Sequence, residues 1–152
     1  MTETRVDLTD RPPAGLFYED LQIGMRDTYS RVVTCEDVHA FAAISGDHNP
    51  VHLDERYAEK TPFAGRIAHG LLTASFLSSV LGMRLPGPGA IYISQSLNFR
   101  APVRIGDRVE ASAQITDLCG ARRRATLACL CKVGEKTVVD GEAIVLVPSR
   151  RV

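Results

Sequence analysis

Apolar and polar positions change their period several times along the chain, and each change marks an element. Leu16 to Val33 reads as extended structure interrupted at Gly24. Val38, Phe41 and Ala42 then recur at helical spacing. Thr34 stands before them with Asp37 three residues on, the spacing of a capping box, and Ser45-Gly46 closes the helix. Asp47 to His52 cannot extend it, because Pro50 lacks a backbone donor and pushes Asn49 towards an extended conformation. That stretch predicts an irregular loop. A short helix over about Asp54 to Glu59 follows, then a loop through Pro62 and Gly65. His69 to Leu81, HGLLTASFLSSVL, reads as a second helix that is apolar or small on nearly every side. A helix without a polar face is normally buried all round, so the rest of the chain must wrap it.

Four strand-like runs follow: Ala90 to Val103, Asp107 to Leu118, Arg123 to Val133 and Lys136 to Pro148. Val109, Ala111, Ala113 and Ile115 alternate with polar residues, and Leu127, Cys129, Cys131 and Val133 recur at the same spacing of two, so each run offers one face to a core. Gly134-Glu135 is a hairpin signal between the last two. Helices grouped early and strands grouped late predict an α+β fold, a curved antiparallel sheet wrapped around one buried helix. Residues 1–14 read as a flexible N-terminal tail carrying Pro12-Pro13, and 15–150 as one domain.

Composition narrows the functional classes. Lysine plus arginine count 18 and aspartate plus glutamate 18, so the formal net charge is zero, without the basic surplus of a general nucleic-acid binder. The N-terminus has no basic segment leading into an apolar one, and Ile67 to Leu81 is too short and too polar for a membrane span. The expectation is a cytoplasmic protein that binds neither nucleic acid nor membrane. Cys35, Cys119, Cys129 and Cys131 form no C-x-x-C pair and read as reduced thiols serving as small apolar residues.

The segment that carries chemistry is Phe41-Ala-Ala-Ile-Ser-Gly-Asp-His-Asn-Pro-Val-His52. A bend at Asn49-Pro50 lets the carboxylate of Asp47 and the imidazole of His52 converge. A water between them meets an acceptor and a group that changes charge near neutral pH. The same residues also suit a turn cap and a surface histidine. A metal would need a third ligand; His48 and His69 are at hand, but no H-E-x-x-H spacing exists, and no metal or other cofactor is expected. No G-x-S-x-G supports a serine hydrolase. A second element is Ala68-His69-Gly70. Gly70 opens the buried helix, whose N-terminus presents free N–H groups suited to a developing oxyanion, though a plain helix-start glycine fits equally.

These residues resemble the (R)-specific enoyl-CoA hydratases of the MaoC-like, hot-dog fold group. The family's hydratase signature is met at Phe41, Ile44, Ser45, Gly46, Asp47, Asn49, Pro50, Val51, His52 and Ala58. The likeness continues through Ile67 to Leu71, Ser75, Leu81-Gly82, Ile91 to Phe99 and Gly141 to Val145, and covers roughly 16–148. The resemblance implies reversible hydration of a trans-2-enoyl-CoA to the (R)-3-hydroxyacyl-CoA, without a cofactor, by a homodimer. It implies Asp47 and His52 as the catalytic pair, the Gly70 N–H as oxyanion donor and Asn49 as the residue that fixes the loop. It places Ser78, Leu81 and Ile144 along the acyl pocket, where the bulk of Leu81 and Ile144 favours short chains.

Tyr57 and Phe63 are candidates for the entrance, and His39 for the surface. Arg122-Arg123-Arg124 reads as a solvated face, or as a partner for the phosphates of coenzyme A. Three other readings keep the fold: a 3-hydroxyacyl-ACP dehydratase of fatty-acid synthesis, a hot-dog acyl-CoA thioesterase, and a non-catalytic acyl-CoA-binding module.

Overall fold

The computed structural model describes residues 15–151. After a 3-10 turn at Tyr18–Asp20, strand β1 (Arg26–Val32) leads into helix α1 (Cys35–Ser45). Thr34 caps α1 as the sequence predicts: its hydroxyl accepts from the Asp37 N–H, and Asp37 reaches back to the Thr34 N–H. Two short helices follow, α2 (Pro50–Leu53) and α3 (Glu55–Glu59), then the long helix α4 (Gly70–Met83). The chain ends in β2 (Ile91–Gln95), β3 (Asn98–Phe99), β4 (Arg108–Cys119), β5 (Arg124–Val133) and β6 (Lys136–Leu146). All pairings are antiparallel, in the order β1-β4-β5-β6-β2, with β3 also on β6. This is the α+β architecture read from the sequence, a six-stranded sheet packed on a central helix.

The alternating residues do what their period requires. Val109, Ala111, Ala113 and Ile115 on β4 and Leu127, Cys129 and Cys131 on β5 are all buried against α4, which packs on β1, β4, β5 and β6. From α4 the core receives Leu72, Phe76, Leu77, Val80 and Leu81. Each such side chain contributes roughly 1.5–3 kcal/mol by leaving water. Cys129 and Cys131 are free and buried, as expected of small apolar residues; Cys119 is exposed and Cys35 half-buried.

Three expectations change. The segment 47–52 is not loop throughout, because Pro50 sits at the first position of α2. A proline there loses nothing, since the N–H it lacks would have had no helical partner. The predicted strand Ala90 to Val103 is two strands, parted where the Ser96 N–H bonds the Glu142 carbonyl and the Ser96 hydroxyl accepts from the Glu142 N–H. Helix α4 is not buried all round: Leu71, Ser75, Ser78, Gly82 and Met83 form an open stripe. The stripe lies beside β2, an edge strand with exposed Ile91, Tyr92 and Ile93. The predicted flexible tail, 1–14, lies outside the described residues. No helix among the described residues is long and apolar enough to cross a membrane.

Candidate active site

The end of α1 and the start of α2 form a run of local hydrogen bonds. Gly46 ends α1 in the left-handed conformation, φ 79°, where a side chain would be strained, and its N–H bonds the Ala42 carbonyl. The Ser45 hydroxyl accepts from the Asp47 N–H at 3.1 Å, Asp47 Oδ1 from the Asn49 N–H at 3.1 Å, and Asn49 Oδ1 from the Val51 N–H at 3.2 Å. Asn49 is thus the N-cap of α2. One turn of helix then presents His52 on the same side as Asp47, with His52 Nε2 3.9 Å from Asp47 Oδ2.

Each ring nitrogen of His52 has a defined role. Nδ1 lies 2.8 Å from the Ile67 carbonyl, which only accepts, so Nδ1 carries hydrogen. Nε2 of the neutral ring is then a bare acceptor facing the carboxylate. Arg66 Nε holds the His52 carbonyl at 2.7 Å. His52 is buried, whereas the Asp47 side chain is half exposed, so the pair lies at a boundary between protein and cavity.

His69 completes the arrangement. It is 2% exposed, with Nε2 2.9 Å from the Asp47 carbonyl. Its ring stacks on that of His52, centroids 3.8 Å apart and planes 28° from parallel, while Phe41 covers it from the side at 4.8 Å. Burial, above all, holds its pKa below the ordinary histidine value; the bond to the Asp47 backbone opposes the shift, and positive charge on His52 or His48 would reinforce it.

These groups open on a cavity of about 720 Å³. Ser45, Asp47, His52, His69, Gly70, Thr73 and Arg100 bring polar atoms to it; Phe41, Phe63, Leu71, Phe99, Val103 and Val139 give it apolar walls. Gly70 opens α4 with His69 as its N-cap, so first-turn N–H groups of the helix lie at the cavity. A Cβ at Gly70 would stand 2.7 Å from the Phe99 ring, so glycine here admits an aromatic wall as well as any ligand.

The structure brings Asp47, His52, Gly70 and Phe63 onto one cavity, and Asn49 into the cap that shapes it. It does not bring Ser78, Leu81 or Ile144 there. Ser78 lines a shallower groove along β2, Leu81 is buried in the core, and Ile144 is half-buried on β6 opposite Ser94 and Thr126. Leu71 borders both the cavity and that groove. Tyr57 is half exposed and His39 exposed; Arg122, Arg123 and Arg124 sit at the turn between β4 and β5; none of these lines the cavity. His69, weighed in the sequence as a spare metal ligand, does converge on the pair. Asp47, His52 and His69 offer ligand atoms within 4.8 Å of one another; His52 Nδ1 and His69 Nε2 face carbonyls, which leaves His52 Nε2 and His69 Nδ1 as the other ring nitrogens. Sequence reasoning gave no role to Thr73, Phe99 or Arg66. The available signal was their company: Thr73 is a hydroxyl inside an apolar helix, and Phe99 follows Asn98 on a strand.

The MaoC like domain profile matches residues 21–137. The chain is 56% identical over 135 residues to the 3-hydroxybutyryl-CoA dehydratase of Methylorubrum extorquens, covering 89% of this chain and 86% of that one. It is 48% identical over 134 residues to the (R)-specific enoyl-CoA hydratase of Rhodospirillum rubrum, covering 88% and 93%. The unliganded R-hydratase structure from Pseudomonas aeruginosa superposes with a TM-score of 0.85 at 38% identity, covering 90% of this chain and 88% of that one.

Proposed function

We infer that this chain, which belongs to the MaoC-like domain family, is an (R)-specific enoyl-CoA hydratase. It is a hydro-lyase that adds water reversibly across the trans-2 double bond of an enoyl thioester. The observation that carries the catalytic assignment is the 3.9 Å gap between Asp47 Oδ2 and His52 Nε2. Two acceptors so spaced suit one water that donates a hydrogen bond of about 2.8 Å to each.

In this reading the water attacks C3 and yields a proton to the pair, and a proton returns to C2 on the same face. A positioned acid or base contributes ~10²–10⁴-fold. The thioester carbonyl accepts from the Gly70 N–H, so the positive end of α4 stabilises the enolate oxygen as charge develops there. Asn49 acts by holding the bend. A short acyl group is supported by the similarity to an enzyme named for a four-carbon substrate. The acyl chain passes Leu71 into the groove beside β2, where Ser78 meets it; Leu81 and Ile144 line neither the cavity nor the groove.

The same groove supports a homodimer. The open stripe of α4 and the exposed apolar side chains of β2 are costly to leave in water, and an edge strand invites pairing. A second copy related by twofold symmetry covers both. Sedimentation equilibrium should give twice the chain mass; a monomer at working concentration removes this part of the reading.

The function is tested with crotonyl-CoA by following loss of the enoyl absorbance beside a free-thiol assay. Hydration predicts absorbance loss without thiol release, and the product should be oxidised only by an (R)-specific 3-hydroxyacyl-CoA dehydrogenase. Thiol release would indicate a hydrolase instead. A chain-length series then measures the acyl limit.

A further inference from the structure

Two deeply buried polar atoms beside the cavity have no hydrogen-bond partner among the described residues and no part in the reaction just described: Nδ1 of His69 and Oγ1 of Thr73. Their residues are 2% and 1% exposed, and both line the cavity. Buried polar groups are nearly always hydrogen-bonded, so a pair of orphans four residues apart calls for an explanation. Their needs are complementary. The Asp47 carbonyl can only accept, so His69 Nε2 carries hydrogen, and Nδ1 of the neutral ring is left as a bare acceptor. The Thr73 hydroxyl has a proton to donate.

His69 also touches both members of the catalytic pair by different means. It bonds the main chain of Asp47 through Nε2 and faces the ring of His52 at 3.8 Å. Phe41 backs it, so the ring has little room to turn. With Nδ1 of His52 tied to Ile67, the two imidazoles are fixed against each other.

Building on the hydratase reading, we propose that His69 is a positioning residue for the hydration. As its Nε2–H tautomer it sets the Asp47 backbone and the plane of His52, and the Thr73 hydroxyl, which makes no direct bond to Nδ1, locks that tautomer by donating to it through one water. A group bonded to the ring's far nitrogen sets the tautomer of any histidine, and here the distant group is one turn into α4. The depressed pKa of His69 agrees: a neutral ring is kept where a second positive charge would oppose proton uptake by His52.

Two substitutions separate the parts of the role. His69→Gln keeps an N–H near the Nε2 position and loses the ring; His69→Phe keeps a stacking ring and loses the N–H. The expectation is that His69→Phe lowers kcat by on the order of 10²-fold, the scale of a misplaced reacting group, with KM little changed. His69→Gln should recover much of that loss. Thr73→Val should lower kcat less, and Thr73→Ser should restore it. Full kcat in His69→Phe, or a loss confined to KM, overturns the proposal.

Ring nitrogen-15 shifts give a readout independent of activity. The wild type should show His69 as a single Nε2–H tautomer, mixed in Thr73→Val and single again in Thr73→Ser. A His69 ring protonated at Nδ1, or unmoved by Thr73→Val, refutes the proposal. If the wild type hydrates no enoyl thioester, the hydratase reading falls by itself, and the nitrogen shifts still decide the tautomer and its lock.

Discussion

The segment 45–54 and the first turn of α4 meet at the same cavity but are built in opposite ways. In the first, the hydrogen bonds run between near neighbours: Ser45 to Asp47, Asp47 to Asn49, Asn49 to Val51 and Pro50 to Asp54. In the second, the decisive contacts cross long stretches of chain. Ile67 holds the ring of His52, Asp47 holds His69, and Phe99 packs on Gly70. A locally coded bend supplies the carboxylate and the imidazole, and tertiary contacts orient them. Damage to the two regions should therefore differ in kind. Errors in the bend should appear as lost caps and lost chemistry, errors at α4 as misalignment or crowding.

The largest effect is expected where the two regions converge. Asp47→Asn and His52→Gln should each lower turnover by at least ~10²-fold while the protein stays folded, checked by crotonyl-CoA kinetics beside circular dichroism. Near-full activity in either variant would break the assignment of the pair.

Crowding comes next. Gly70→Ala places a methyl 2.7 Å from the Phe99 ring. Core overpacking typically costs about 1–3 kcal/mol, but the Phe99 ring is half exposed and can turn aside, so chemical denaturation should show a loss at or below the lower end of that range. Combining it with Phe99→Ala should relieve much of the strain, and a double-mutant cycle measures the coupling. Additive effects would mean that Phe99 is not what confines residue 70.

The two caps sharpen the contrast further. Thr34→Ala and Asn49→Ala each remove an N-cap worth about 1 kcal/mol. Both should lower stability by that order, but only Asn49→Ala should also lower kcat, because only that cap shapes the bend between Asp47 and His52. Equal kinetics in the two variants would remove Asn49 from the site.

The smallest effect is the pH dependence of stability. Folding lowers the pKa of His69, chiefly through burial, with Asp47, His48 and His52 as its charged or titratable neighbours. The unfolded chain then binds the proton more readily. Stability from this residue is complete above the unfolded value of about 6.5 and is lost as pH falls through it towards the folded value. Denaturant midpoints measured across that range should decline in the wild type and decline less in His69→Gln. Parallel slopes would show that other groups carry the effect.

Much of this was legible before the fold was seen. The cap at Thr34, the stop at Gly46, the alternating faces of β4 and β5 and the hairpin at Gly134-Glu135 depend on neighbours within a few residues, and all stand where the pattern put them. Pro50 misled in one respect: it ends α1's reach but opens α2, because a proline breaks a helix from inside and suits its first turn. The open stripe of α4 was not legible, since Leu71, Ser75 and Ser78 read as apolar or small whether or not anything covers them. Nor was the placing of two residues: Leu81 and Ile144 look alike in sequence, yet one is in the core and the other half-buried on β6.

By itself the sequence determined the period of each element, the caps that start and stop the helices, and a bend that puts a carboxylate and an imidazole within reach of each other. Those features arise from backbone sterics and hydrogen bonds between close neighbours, which a residue pattern states directly. Only the tertiary structure decided which nitrogen of His52 faces Asp47, that His69 stacks against it, and that Thr73 and His69 bring unpartnered atoms to the cavity. These depend on groups far apart in the chain meeting at distances of a few ångströms, which no local pattern specifies.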